Sequence, residues 1–276
     1  QPTNNKQFDW VSRMRMSMGT HLHDYVQNRV LGPMGVLYGN WVPLGLAHET
    51  VRGFHPDPGK TLHEIQHQKP ITWRYSEDAV WDEGWRIRGH LDGYVCPRRI
   101  AWLQDNAGAM KSDPEGSCTR LHSLPFSEDE LVLFELKTTG KYGFDKLSGP
   151  DSIADYYKAQ AATYQRLTGR KSTLFWYIER DSLGSKTFYY DYDRGWWGEV
   201  RRKARIVWES IRDETLPEAM MKCKMPTDKR AVKCSHRDPC WLGRMDFKAF
   251  VLRGKRLAES SGRTLLDLSE WVEPED

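Results

Sequence analysis

The run LVLFELKTTG, residues 131–140, carries a glutamate and a lysine two residues apart in an otherwise apolar stretch. Read as a strand, it puts Glu135 and Lys137 on one face and Phe134 and Leu136 on the other, because successive strand side chains alternate. Charge aimed out of a buried strand is costly unless it is paired or meets a metal. A second carboxylate comes earlier, in WRIRGHLDGYV (85–95). That run also alternates, with Ile87, Leu91 and Val95 on one face and Arg88, His90 and Asp92 on the other. Asp92 and Glu135 together are suited to one hard divalent cation, whose preferred ligands are carboxylate, carbonyl and water oxygens. A lysine beside such a cation can orient or deprotonate an attacking water while the metal polarises a phosphoryl oxygen.

Glu-x-Lys by itself is common on the wet face of edge strands, so further residues have to support the chemistry. GTHLHDY (19–25) brings His23 ahead of the carboxylates, and a histidine ligand shifts preference from Mg²⁺ toward Mn²⁺. His21 stands two residues away as the alternative. Gln160 and Tyr164 lie four apart on the stripe of Ile153, Tyr157 and Leu167, and a glutamine on an inward stripe wants a partner. The glycines of GHLDG allow close backbone approach by a ligand at Asp92. His90 shares its strand face with Asp92 and either approaches a phosphate or is an ordinary solvated histidine.

The elements that must position these residues read as follows. Residues 8–31 have helical spacing, with Trp10, Met14, Met18, Leu22, Tyr25, Val26 and Arg29 on one stripe. Residues 32–70, rich in Gly, Pro and His, read as an irregular insertion. QDNAGAMKSDPEGS reads as a loop between the two strands. Residues 151–169 form a helix capped by Asp151 or Ser152 and stopped by Gly169. TLFWYIER and KTFYYDYD, joined by DSLGS, read as a hairpin, and 196–211 as a second long helix. The fold class expected is α/β, a central mixed sheet flanked by helices.

GTHLH, GHLDG, ELK and QAATY, in this order and at these distances, resemble the PD-(D/E)xK nuclease superfamily, and within it the RecB-like branch of phage and CRISPR-associated exonucleases. The resemblance covers roughly residues 15–195. It implies a restriction-endonuclease-like core over residues 1–215 and a metal-dependent DNA nuclease, an exonuclease rather than a site-specific endonuclease. It assigns His23, Asp92, Glu135 and the Leu136 carbonyl as ligands of Mg²⁺ or Mn²⁺, and Lys137 as the catalytic lysine. Gln160 and Tyr164 match the branch's Gln-x-x-x-Tyr signature near the metal and the DNA. Glu77, in WRYSEDAVW, is a loose match to a glutamate that precedes the aspartate strand. The implied partners are DNA, single-stranded or as duplex ends, and a recombination, CRISPR or phage protein. The alternative is a catalytically silent DNA-end-binding or recombination-accessory protein on the same fold, against which the intact Asp92, Glu135 and Lys137 argue.

Residues 216–276 read as a helical, cysteine-containing segment packed on the core. Several RecB-like relatives hold an iron–sulfur cluster through late cysteines spaced Cys-x-x-Cys-x5-Cys. Cys234 and Cys240 match the end of that pattern, but Ala231 stands where a cysteine is expected. Cys223 could substitute, with Cys96 or Cys118 as a fourth ligand; a Zn²⁺ site with His236, or plain thiols, fit equally. His48, His55, His63 and His67 read as scattered surface histidines. Trp196, Trp197 and Trp208, among Arg201, Arg202, Lys203 and Arg205, form either a stacking and basic surface for single strands or a core face with a solvated one.

The bulk numbers bound these readings. With 276 residues, 39% hydrophobic and 29% charged, the chain is an ordinary globular protein. A net charge of +3 is too small to prove a polyanion partner. Five cysteines do not make a disulfide framework. No apolar run approaches the ~20 residues of a membrane span, so a cytoplasmic protein is the default, and the family resemblance implies a bacterial or phage-infected cell.

Overall fold

The computed structural model describes residues 10–44, 50–213 and 215. Helix α1 (Trp10–Tyr25) opens the fold and continues into a π-helical turn, Val26–Leu31. Three strands follow, β1 (Leu37–Pro43), β2 (Val51–Phe54) and β3 (Trp73–Ser76), with α2 (Pro58–Gln66) between the last two. Then come β4 (Asp78–Asp82), β5 (Ile87–Leu91) and β6 (Gly93–Val95), helices α3 (Pro97–Asp105), α4 (Ala107–Ser112) and α5 (Pro114–His122), and β7 (Val132–Thr139). Short α6 (Lys141–Asp145) and long α7 (Asp155–Thr168) cross to β8 (Ser172–Glu179), β9 (Ser185–Asp191) and α8 (Arg194–Arg212). The chain divides into two compact units, residues 10–197 and a second of 1–9 with 198–276, so α8 spans the division. Among the described residues no helix is long and apolar enough to cross a membrane.

The main sheet is mixed, as expected. Its order is β2-β1-β6-β7-β8-β9, with β3 also paired to β1. Strands β7 and β8 are parallel, and the crossover between them runs through α7, since parallel neighbours cannot be joined by a tight turn. Strands β8 and β9 form the expected antiparallel hairpin. In β7 the alternation holds: Phe134 and Leu136 enter a core with Trp41, Leu121 and Leu174, closed by Val26 and Leu31 at the end of the first helix. Glu135 and Lys137 are level with Phe175 and Tyr177 of β8, hence on the opposite, α7-covered face.

Strand β1 sets the geometry of the site. Along one edge it pairs first with β6, at Leu37 and Tyr38, and then with β3, at Asn40 to Pro43. Because β3 and β6 lie end to end on that edge, the intervening β4–β5 hairpin must leave the sheet. It forms a separate two-stranded ribbon, from Asp78↔Leu91 to Asp82↔Ile87. Asp78 anchors its root, accepting from Asn40 Nδ2 and from Arg52 Nη1 at 2.8 Å.

Four expectations are corrected. Residues 32–70 are not an irregular insertion, since they supply β1, an interior strand of the main sheet, with β2 and α2; Gly39, Asn40 and Pro43 disguised the strand. Gly39 is required there, because a Cβ would stand 2.5 Å from the Tyr75 hydroxyl. The run 85–95 is two strands in two sheets, broken at Asp92 where Gly93 takes φ +145°. The stretch expected as a loop contains α4 and the start of α5, the latter capped by Asp113, whose Oδ1 accepts from Gly116 N at 3.0 Å. Helix α7 begins at Asp155, after a 3₁₀ turn at Pro150–Ser152, and ends as expected at Gly169 in the left-handed conformation.

Candidate functional site

Glu77 joins β3 to β4, and Asp92 joins β5 to β6, so they occupy the two points where the ribbon leaves the sheet. Asp78 faces Leu91 and Ala79 faces His90, which makes Glu77 and Asp92 the next cross-strand row. His23, from the last turn of α1, closes the group. One ligand atom from each of His23, Glu77 and Asp92 lies within 4.8 Å of the others. His23 Nδ1 is 3.5 Å from Asp92 Oδ1. Burial alone would lower the His23 imidazole, but the Asp92 hydrogen bond and charge, with Glu77 farther off, leave it raised.

Asp92 is fixed at three points. Its Oδ2 accepts from the Leu136 backbone N–H at 2.8 Å. Its carbonyl accepts from Gln27 Nε2 at 2.9 Å. Its Oδ1 faces His23, and the other oxygen is taken by Leu136, so Oδ1 is the oxygen turned toward a cation. An imidazole nitrogen and two carboxylates fit Mn²⁺ or Mg²⁺, with Mn²⁺ favoured by the nitrogen.

Glu135 is not a member of this group. Its Oε2 accepts from Lys137 Nζ at 2.5 Å, and the carboxylate is 1% exposed. Burial, then the Asp92 charge, push Glu135 up to about 8, against the opposing pull of Lys137. For Lys137 burial acts downward, yet the facing charges of Glu135 and Asp92 leave it raised, so the ammonium stays protonated. Its Nζ also stands 4.8 Å from the Tyr157 ring centroid. Leu136 meets Asp92 through its backbone N–H.

Gln160 and Tyr164 do meet. Gln160 Nε2 donates to the Tyr164 hydroxyl at 3.2 Å, and the ring packs on Gly89 of the ribbon. A Cβ at Gly89 would lie 2.2 Å from the Tyr164 ring, and one at Gly93 would lie 2.5 Å from Leu37. The glycines around Asp92 therefore admit neighbouring protein side chains, not a ligand as expected. Burial raises the Tyr164 hydroxyl, while hydrogen bonds from Gln160 and the His90 backbone oppose this.

An open cleft of about 640 Å³ adjoins the group, lined by His23, Glu77 and His90 with Gln27, Asn28 and Arg74 among others. Gln27 and Asn28 were not singled out in the sequence. The π-helical turn inserts a residue into the helical repeat and buries both, Asn28 Oδ1 accepting from Tyr75 N at 2.6 Å. Their polar pair at the end of an apolar stripe was the available signal. His21 is exposed and outside the group.

The remaining candidates fall elsewhere. Cys223, Cys234, Cys240, His236 and His48 lie outside the described residues. Cys96 and Cys118 are buried free thiols, and burial pushes Cys118 up, away from the thiolate a metal needs. His55 is fully buried against Trp41, contrary to the surface reading, while His63 and His67, at the end of α2, tilt against each other with ring centroids 4.2 Å apart. In α8, Arg202 and Lys203 both pair with Glu199, at 2.7 and 3.3 Å, as on a solvated helix face. No protein-family model, curated protein or solved structure matches the chain.

Proposed function

We propose that this chain is a metal-dependent deoxyribonuclease with a restriction-endonuclease-like core, of the PD-(D/E)xK kind and nearest in pattern to RecB-like exonucleases. The observation that carries the reading is the grouping of His23, Glu77 and Asp92 beside the buried Glu135–Lys137 pair. Those three residues would hold the Mg²⁺ or Mn²⁺ ion, which when bound supplies Lewis-acid polarisation of a phosphoryl oxygen. The chain's own groups do the rest. Lys137, held by Glu135, presents its ammonium to the attacking water and the phosphate. Glu135, buried against Lys137, keeps that ammonium in place, and the attacking water gives its proton to solvent. The water oxygen forms the new P–O bond, the bond to the departing oxygen breaks, and that oxygen is protonated from solvent. Gln160 and Tyr164 act as positioning residues, bracing the ribbon at Gly89, three residues from Asp92.

One observation favours the silent DNA-binding alternative: Glu135 is engaged by Lys137 instead of joining His23, Glu77 and Asp92. Incubation of labelled linear and circular DNA with Mg²⁺, Mn²⁺ or EDTA separates the two. The nuclease reading expects metal-dependent loss of linear DNA, abolished by Lys137→Met. Binding without any loss of either DNA favours the alternative.

A further inference from the structure

The β4–β5 ribbon has two unlike faces. Asp78, Val80, Gly89 and Leu91 turn toward the protein, where Tyr164 packs on Gly89. The other face is exposed at every position, Ala79 and Trp81 on β4, Arg88 and His90 on β5. The register pairs Ala79 with His90 and Trp81 with Arg88. By the same alternation Glu77 and Asp92 form the row at the root of this face. The ribbon therefore carries a straight path from the candidate metal group, past His90, to a tryptophan and an arginine side by side.

A tryptophan 62% exposed at the end of such a path is unusual for a residue that could have been buried. Four residues of strand separate the Trp81–Arg88 row from the ligand row, about 14 Å at ~3.4 Å per residue. That length spans up to about four stacked nucleotides at ~3.4 Å each. Indole faces suit unpaired bases, and a guanidinium suits a phosphate. The nearby acidic groups leave the path open: Asp82 is on the inward-facing side with Oδ1 accepting from Trp85 N at 2.8 Å, and Glu83 lies beyond the row in the turn, offset there by Arg86.

We propose that the exposed face of the ribbon binds single-stranded DNA leaving the His23–Glu77–Asp92 group, Trp81 stacking on a base and Arg88 meeting a phosphate. This rests on reading that group as a phosphodiester-cleaving centre. It gives the enzyme an unpaired strand as its substrate, because a base inside a duplex offers no face to Trp81.

The test is fluorescence anisotropy with labelled oligo(dT) of about twenty nucleotides and with a blunt hairpin duplex, in EDTA so that nothing is cut. Trp81→Ala and Arg88→Ala are each expected to weaken oligo(dT) binding about tenfold, and Trp81→Phe to restore most of it. Arg88→Ala should also lower the slope of log K against log salt by about one, whereas Trp81→Ala should leave that slope unchanged. Both residues are exposed, so melting temperatures should stay within a few degrees of wild type. With Mn²⁺ present, Trp81→Ala should raise KM for the single strand and spare kcat. Unchanged oligo(dT) affinity in Trp81→Ala, no oligo(dT) binding by the wild type, or equal losses on the duplex would each overturn the proposal. Trp81-dependent binding without cleavage would instead remove the nuclease reading and keep the track, and cleavage indifferent to Trp81 would do the reverse.

Discussion

Asp92 Oδ2 accepts a hydrogen bond from the backbone N–H of Leu136 at 2.8 Å, at the point on β7 where the neighbouring strand has ended. Strand β6 pairs with β7 only from Val95↔Val132 to Gly93↔Phe134. Continuing the ladder would bring Leu91 opposite Leu136, but Leu91 has left with the ribbon to pair with Asp78. The side chain takes the place of the missing carbonyl. A buried N–H left without an acceptor costs about 1–3 kcal/mol, so the carboxylate is pinned by a need of the sheet itself. Asp92→Ala should therefore lose both about 1–3 kcal/mol of stability and all cleavage. Asp92→Asn keeps an acceptor for Leu136, and should melt near wild type while still failing to cut. Denaturant unfolding and the DNA assay on both variants decide it, and two equally destabilised variants would sever the link between ladder and site.

Glu77, not Glu135, stands in the group with His23 and Asp92. Titration calorimetry with Mn²⁺ should therefore show a loss of at least about tenfold in affinity for Glu77→Gln. Glu77 is exposed, so its melting temperature should hardly move. A Glu77→Gln protein that binds Mn²⁺ as wild type, beside a Glu135→Gln protein that does not, would restore the ligand set implied by the family resemblance.

Glu135 and Lys137 are both buried, and each is the other's main counter-charge. Removing one partner of such a pair typically costs about 3–5 kcal/mol, because the remaining charge has no compensation. Glu135→Gln and Lys137→Met should each be strongly destabilising, and the double variant should recover much of the loss. In Lys137→Met the carboxyl loses the only lysine opposing its upward shift, so that variant should recover stability as pH falls and Glu135 takes a proton. Additive losses in the double variant would mean the two residues are not coupled.

Gly89→Ala tests the ribbon's seat. The added methyl would stand 2.2 Å from the Tyr164 ring, and an overpacked contact of this sort typically costs about 1–3 kcal/mol. Tyr164 must move, and its link to Gln160 and the alignment of Asp92 should go with it. Cleavage should fall in Gly89→Ala and recover in part in Gly89→Ala with Tyr164→Leu, which makes room. Undiminished cleavage in Gly89→Ala would show that the brace is dispensable.

How much of this was legible in the sequence depends on how far each feature is local. The alternation of Phe134, Glu135, Leu136 and Lys137, and the stop at Gly169, are set by neighbouring residues and could be read directly. The hairpin of β8 and β9 was legible for the same reason. What could not be read was where strands change partners. Residues 85–95 alternate without a break, yet Asp92 divides them between two sheets because β3 and β6 compete for one edge of β1. That is a tertiary fact, and it is what brings Glu77 to the site. A hairpin register pairing Trp81 with Arg88 would have found it, since the same register sets residue 77 opposite 92. The π-helical turn hid Gln27 in the same manner, by adding a residue to a repeat assumed regular.

His55 supplies a pH test away from the site. Its Nδ1 accepts from Asp57 N at 3.0 Å, so the proton sits on Nε2, which donates to Thr61 Oγ1 at 3.1 Å. The ring is fully buried beside Trp41, and burial pushes it down to about 4, with Asp57 opposing and His122 adding to the shift. Unfolded, the same imidazole titrates near 6.5. Above that value it is neutral in both states and costs nothing. As pH falls from about 6.5 to about 4, the unfolded chain binds a proton that the folded chain refuses, so stability drops at about 1.4 kcal/mol per unit. The full effect is about 3 kcal/mol, complete near pH 4 and absent above neutrality. Urea unfolding of wild type and His55→Gln across this range isolates it from the carboxylates, which titrate in both proteins. The variant should be less stable than wild type near pH 7, having lost the ring and its two hydrogen bonds, and the gap should narrow steadily toward pH 4. A gap that stays constant would mean that His55 is protonated inside the folded protein after all.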